Sequence, residues 1–303
     1  MTQENNTQEN LKYTDALGNT ISGSEENEKD IHVRRFDTYT RVMHIMIITS
    51  FLTLSVTGMI IKFSGVGVFQ FLSDILGGYK VTGFLHRFAA IITFGYFALH
   101  TGSLFKKKKD GHTFKYMFTG ENTMVPRKQD AIEFYQTIKW FLGLGPRPEY
   151  GRWTYWEKFD YFAVFWGVMV IGFSGLLLWF PAFFTSLGLP GEVINVATII
   201  HSDEALLATG FIFTVHFFNT HFRPDKFPMD TVIFTGSMSL EEFKEDRPRQ
   251  YKILKESGEL ENYFVAAPKK GLLRASRIFG TVALLIGLTT VLMIIYSMLF
   301  LYQ

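Results

Sequence analysis

Five long apolar stretches, each bounded by polar chain, divide the sequence: Val42–Ile61, Thr82–Leu104, Tyr161–Phe180, Ile194–Phe218 and Ile278–Leu301. At a rise of about 1.5 Å per residue, each can cross a hydrocarbon core of roughly 30 Å as a helix. A helix satisfies its own backbone hydrogen bonds, the condition for any open-ended element in lipid. The pattern therefore predicts an all-α integral membrane protein: a four-helix transmembrane bundle followed by a fifth, C-terminal spanning helix. The fifth stretch is aliphatic and contains neither histidine nor charge.

The polar intervals predict the remaining organisation. Residues 1–33 are polar and acidic, carry no apolar run of the secretory type, and read as a disordered tail. A membrane domain is expected at 34–225, a connecting loop at 226–276 and the fifth helix at 277–303. Within the connections, Asp130–Gly143 places Phe134, Ile138, Phe141 and Leu142 on one helical face, the pattern of a helix lying on a membrane surface. Ser239–Glu256 is polar and helix-prone, with a break expected at Pro248.

Charge then fixes an expected orientation. The intervals Phe105–Lys158 and Asn219–Arg277 each carry 11 Lys or Arg, whereas Lys62–Leu85 carries two and Pro181–Ile200 none. Positively charged connections stay on the cytoplasmic side, so the amino terminus is expected in the cytoplasm and the carboxyl terminus outside. The 303 residues include no cysteine. That excludes disulfides, cysteine-held iron–sulfur clusters, thiolate zinc sites and thioether-linked c-type haem. A redox centre in this chain must rest on histidine or on rarer oxygen and thioether ligands.

Five of the eight histidines lie in or at the ends of the predicted spans: His44, His86, His100, His201 and His216. One intramembrane histidine is as readily a packing residue hydrogen-bonded between helices as a ligand, but ionisable residues are rare in the bilayer and mark function. Their depths sharpen the case. His100 follows His86 by 14 residues and His216 follows His201 by 15, separations of about 21 and 22 Å with angular offsets of only about −40° and +60°. Each of these two helices thus offers one imidazole near each membrane surface. His44 lies at the inner end of the oppositely directed first helix, at the depth of His100 and His216.

A haem iron held by two imidazoles needs one histidine from each of two facing helices at a common depth. His86 and His201 supply an outer pair, and His216 belongs to an inner one. Zinc fits less well, because it gathers four ligands at one depth, and a proton relay normally recruits carboxylates. Gly58, Gly95, Gly172, Gly175 and Gly210 offer either room for a flat macrocycle or ordinary close helix packing. Arg41, Arg87 and Arg223 suit either propionates or interfacial anchoring.

Several short motifs now align with a known family. The opening helix (RVMHIMIITSFLTLSVTG, with Thr57-Gly58), Leu85-His86-Arg87 in the second, Trp156-Glu157-Lys158 before the third, and the paired histidines of the fourth together span about 34–225. In order and topology they resemble the di-haem b-type cytochrome membrane subunits of formate dehydrogenases, nickel–iron hydrogenases and thiosulfate reductases. The resemblance implies two haem b groups, one on His86 and His201 at the outer side and one on His44 and His216 at the inner side. It implies further a quinone (menaquinone or ubiquinone) at the inner haem, and an extracytoplasmic partner such as a multihaem cytochrome c or an iron–sulfur subunit. The chain would then be the quinone-reactive subunit of an oxidoreductase in a prokaryotic cytoplasmic membrane, with lipid and no nucleic acid among its partners.

Two departures from the family pattern stand out. The fifth helix is additional, and His100 competes with His44 for the inner iron, contacts quinone or a propionate, or helps hold a third haem. His221, just past the fourth helix, is expected either in the quinone site or as a helix-capping residue, and His32 and His112 in solvent-exposed loops. A haem-free transporter with a histidine relay and a structural anchor of a larger complex are the rival classes.

Overall fold

A computed structural model describes residues 11–14, 20–23, 31–109 and 114–300. Among them five helices are long and apolar enough to span a membrane: Thr38–Lys62, Tyr79–Phe105, Tyr155–Trp179, Gly191–Phe222 and Lys270–Phe300. The chain is a multi-pass, predominantly helical membrane protein. The third helix begins six residues before the expected Tyr161, because the sequence edge was set by Glu157, Lys158 and Asp160. Each of those charges has a partner in the fold: Arg247, Asp130 and His216 respectively. Paired charge is compatible with a helix that hydropathy alone would end.

By contact the chain divides into two compact units, each drawn from separated stretches of sequence. The membrane unit comprises the described residues of Val42–Phe114, Phe159–Asp230 and Arg277–Gln303. A buried cluster joins Met59 and Ile60 of the first helix and Phe63 just past its end to Val66, which caps the short helix Gly67–Ile75, to Phe69 within it and to Ile294 of the fifth. Many of its large apolar side chains instead face outward, Phe84 at 65% and Phe173 at 61% exposure among them, which lipid accommodates and water does not. The fourth helix ends in two π-helical segments, Ile212–His216 and Phe218–Phe222. The fifth packs closely there: a Cβ on Gly287 would lie 2.6 Å from the Phe217 ring and 2.7 Å from that of Phe213.

The second unit comprises the described residues of Met1–Arg41 with Lys115–Lys158 and Thr231–Ser276. Its centre is the strand Ile31–Arg34, antiparallel to Ser237–Ser239 on one side and Phe264–Ala266 on the other, with Val33 opposite both Met238 and Phe264. Strand alternation turns Ile31 and Val33 inward onto Val232, Leu240, Phe243 and Leu254. His32 therefore sits in a central strand and not in an exposed loop; His112 and Leu301 lie outside the described residues. Two strands, Leu11–Thr14 and Thr20–Gly23, pair antiparallel within the stretch expected to be disordered. The expected loop 226–276 carries helices Leu240–Asp246 and Pro248–Glu256, parted at Arg247 with Pro248 as the first residue of the second.

Around this core runs a band of buried charge. Arg247 clasps Glu157 through two 2.9 Å bonds, and Lys158 meets the Asp130 carboxylate at 2.9 Å. Arg35 donates to Gln250 at 2.6 Å and to the Arg152 carbonyl at 2.7 Å. Burial, with Arg247 close by, pushes the Arg35 guanidinium down to about 9.

Glu133 is 1% exposed and pairs with Arg249 at 2.8 Å. Burial nevertheless raises its pKa, outweighing the arginine. Between the unfolded and the raised folded pKa the folded chain binds more protons, so stability from this group falls as pH rises through that window. Glu133→Gln removes the buried charge. Its thermal unfolding in detergent is expected to lie above that of the parent at pH 8. The gain should vanish as pH drops below the raised pKa, and a gain that persisted at acid pH would show that charge is not the cause.

Candidate metal centres

His86, on the second spanning helix, and His201, on the fourth, meet with ring centroids 6.2 Å apart and planes at 73°. Each ring is held by one nitrogen. The His86 Nδ1 lies 3.0 Å from Thr57 Oγ1, and that hydroxyl donates its own hydrogen to the Thr53 carbonyl at 2.5 Å. Thr57 therefore accepts from His86, whose Nδ1 carries the proton. The His201 Nδ1 lies 2.9 Å from the Ile171 carbonyl, which can only accept, and 3.3 Å from Ser174 Oγ. Both imidazoles are fixed in the tautomer that leaves Nε2 as the free lone pair, the arrangement metal-ligating histidines adopt.

The same device serves both rings. Thr57-Gly58 on the first helix and Ser174-Gly175 on the third each place a hydroxyl beside an imidazole and remove a side chain next to it. A Cβ on Gly58 would come 3.3 Å from His86 Cε1, and one on Gly175 would come 2.9 Å from His201 Cε1. These two glycines thus clear the histidines, where the sequence left open either room for a macrocycle or close helix packing. Gly172 clears Phe94. Gly95 and Gly210 do face open space, with nothing within 4 Å of an added Cβ. At the level of this pair Lys62 reaches Ser202 at 3.0 Å and Asp203 at 3.4 Å, tying the end of the first helix to the fourth. Arg87 lies over the Trp179 ring at 5.8 Å.

A second level involves His216. Its Nδ1 lies 2.9 Å from Asp160 Oδ2 on the third helix, again leaving Nε2. His44 is within electrostatic reach of His216, and its buried Nδ1 has no hydrogen-bond partner. His216 sits in a π turn, which takes up about one residue more than an α turn and so offsets the extra residue separating it from His201. His100 differs from the other four. Its Nε2, the usual ligating atom, is 2.8 Å from the Tyr161 hydroxyl. His221, in the second π segment, is buried with its ring 5.3 Å from that of Phe217 and its Nδ1 without a hydrogen bond.

Among the described residues no three His, Cys, Asp or Glu side chains converge on one point; the arrangement is of histidine pairs. A two-ligand site of this kind suits a metal whose other positions are filled by a macrocycle. Two metal–imidazole bonds of about 2 Å, plus roughly 1 Å from each nitrogen to its ring centre, sum to about 6 Å, matching the His86–His201 separation of 6.2 Å. Of the arginines that suit either propionates or interfacial anchoring, Arg41 donates to the Phe234 carbonyl at 2.8 Å and Arg223 to Asp225 at 2.7 Å. Thr57, Asp160, Tyr161, Ile171 and Ser174 are contributors that histidine spacing did not reveal. No family model matches the chain, and no curated protein matches it.

Proposed function

We propose that the chain is a di-haem b membrane subunit that passes electrons between the quinone pool and an extracytoplasmic redox partner. The observation carrying this reading is the His86–His201 pair, both rings pinned through Nδ1 and both Nε2 atoms left over at a 6.2 Å centroid separation. In the proposal His86 and His201 hold the outer haem and His44 and His216 the inner one. Bound haem supplies one-electron carriage, while the protein supplies ligands, burial and spacing. The Lys- and Arg-rich connections support the part of this reading that has the His44 and His216 level on the cytoplasmic side of a prokaryotic inner membrane. Quinone is assigned to that side, with buried His221 beside His216 a candidate for its pocket. The outer partner is a separate chain carrying c-type haem or an iron–sulfur centre, since this one has no cysteine.

The testing experiment is a dithionite-reduced minus oxidised spectrum of purified protein made with haem available, with pyridine-haemochrome quantification. The expected result is a low-spin haem b spectrum at about two haems per chain. Absence of haem would remove the proposal and leave a transporter or an anchor. The cradle itself gives a sharper expectation. Gly175→Val adds branched carbons where a Cβ already meets His201 at 2.9 Å, so the ring must leave its place. Haem content is expected to fall toward one per chain, and retention of both haems would show that Gly175 does not position His201. Gly58→Ala, with 3.3 Å available, should weaken haem retention less.

A further inference from the structure

The helix Lys128–Phe141 is built in an unusual order: its acids point in and its apolar strip points out. Asp130, Glu133 and Thr137 fall within about 60° of one another on the helix. They are buried against Lys158, Arg249 and the Tyr150 hydroxyl respectively. Roughly 70° round the helix lie Phe134, Ile138 and Phe141, continued past its end by Leu142 and Leu144. All five are exposed, Phe141 at 65% and Leu142 at 67%. Lys128 and Lys139 border the strip on its far side, Lys139 riding 5.4 Å over the Tyr135 ring. Arg147 lies 5.7 Å over the Trp140 ring.

An apolar face of this size open to water is unfavourable, at about 25 cal/mol for each Å² left uncovered, so an occupant is required. The charges say which. Both acids of the helix are paired inside the fold, so the charges it offers outward are cations, set among apolar side chains and Tyr and Trp rings. That combination is complementary to the headgroup layer of an anionic membrane: apolar side chains enter the acyl boundary, aromatic rings sit at headgroup depth, and lysines reach the phosphates. The remaining exposed positions carry Gln129 and Gln136 together with Ile132.

We infer that Lys128–Leu144 is a lipid-docking element that binds anionic phospholipid at the membrane surface. This goes beyond the electron-transfer reading and does not depend on it. Because the chain lacks cysteine, a single Phe141→Cys replacement can carry a nitroxide label in the full-length protein, with Gln136→Cys as its counterpart outside the apolar strip. The protein is placed in nanodiscs of phosphatidylcholine with and without phosphatidylglycerol, and label collisions with oxygen and with a water-soluble nickel chelate are compared. With phosphatidylglycerol present, the oxygen-to-nickel ratio at Phe141 is expected to exceed that at Gln136 several-fold. It should fall when phosphatidylglycerol is omitted, and also in the Lys128→Gln, Lys139→Gln double variant. A Phe141 label open to nickel in both disc types would overturn the inference. So would one shielded from both reagents, which would mean that a second copy covers the strip, or lipid contact indifferent to phosphatidylglycerol.

Discussion

Replacing His44 with Ala is expected to reduce the chain from about two haems to about one, while His100→Ala leaves both in place. The two residues share a depth in the sequence, and the chemistry of their nitrogens separates them. The His100 Nε2 is 2.8 Å from the Tyr161 hydroxyl, so ligation would require breaking that bond inside a membrane helix pair. His44 lies within electrostatic reach of His216, and no hydrogen bond to its buried Nδ1 ties the ring elsewhere. With the inner iron gone, a single remaining haem cannot bridge the membrane, and quinol-driven reduction of an external acceptor should fall to background. Haemochrome quantification of the two variants decides the matter. Loss of a haem from His100→Ala with both retained in His44→Ala would assign the inner iron to His100 and His216.

The spans were legible because hydropathy is a local property: about 20 apolar residues suffice, whatever their neighbours. The depths of the histidines were legible for the same reason, since rise per residue converts separation into height. What holds each imidazole was not. Thr57, Ile171, Ser174 and Asp160 act from other helices, and no periodicity within one helix announces which neighbour faces it. The two hydroxyl–glycine pairs, Thr57-Gly58 and Ser174-Gly175, were visible as dipeptides, but their common task emerges only when each is seen against a ring. The π turns at His216 and His221 were invisible, because a helix-period reading assumes 3.6 residues per turn throughout. The second unit was read as a tail, a surface helix and a loop because its pieces come from three distant stretches. Its central strand, Ile31–Arg34, is only four residues long, and both partner strands lie more than 200 residues away. Such a pairing leaves no local trace beyond Ile31 and Val33 alternating with polar neighbours.

Asp160→Asn is expected to raise the midpoint potential of one haem and leave that of the other unchanged. The Asp160 carboxylate takes a hydrogen bond from His216 Nδ1 at 2.9 Å, while its second oxygen is buried without a hydrogen-bond partner. A carboxylate at that position draws the Nδ1 proton toward itself and enriches the imidazole in electron density, strengthening Nε2 as a donor. A stronger donor stabilises ferric iron over ferrous, and the anion itself does the same across the low-dielectric interior. Both effects would hold a haem bound by His44 and His216 at the lower potential, as the proposed exchange of electrons with quinone would require. Asparagine keeps the size and the accepting oxygen but not the charge, so the potential should rise while the fold is retained; Asp160→Glu should restore much of the original value. Outer-shell partners of this type typically contribute 10–100-fold to metal affinity, so Asp160→Ala is expected to lose the inner haem on purification while the His86–His201 haem stays. Potentiometric titration with the low-spin EPR signals reads both quantities. Two unchanged potentials in Asp160→Asn, with both haems bound, would reduce Asp160 to a packing residue and leave the di-haem assignment standing. A shift confined to the haem held by His86 and His201 would overturn the pairing of His216 with the inner iron.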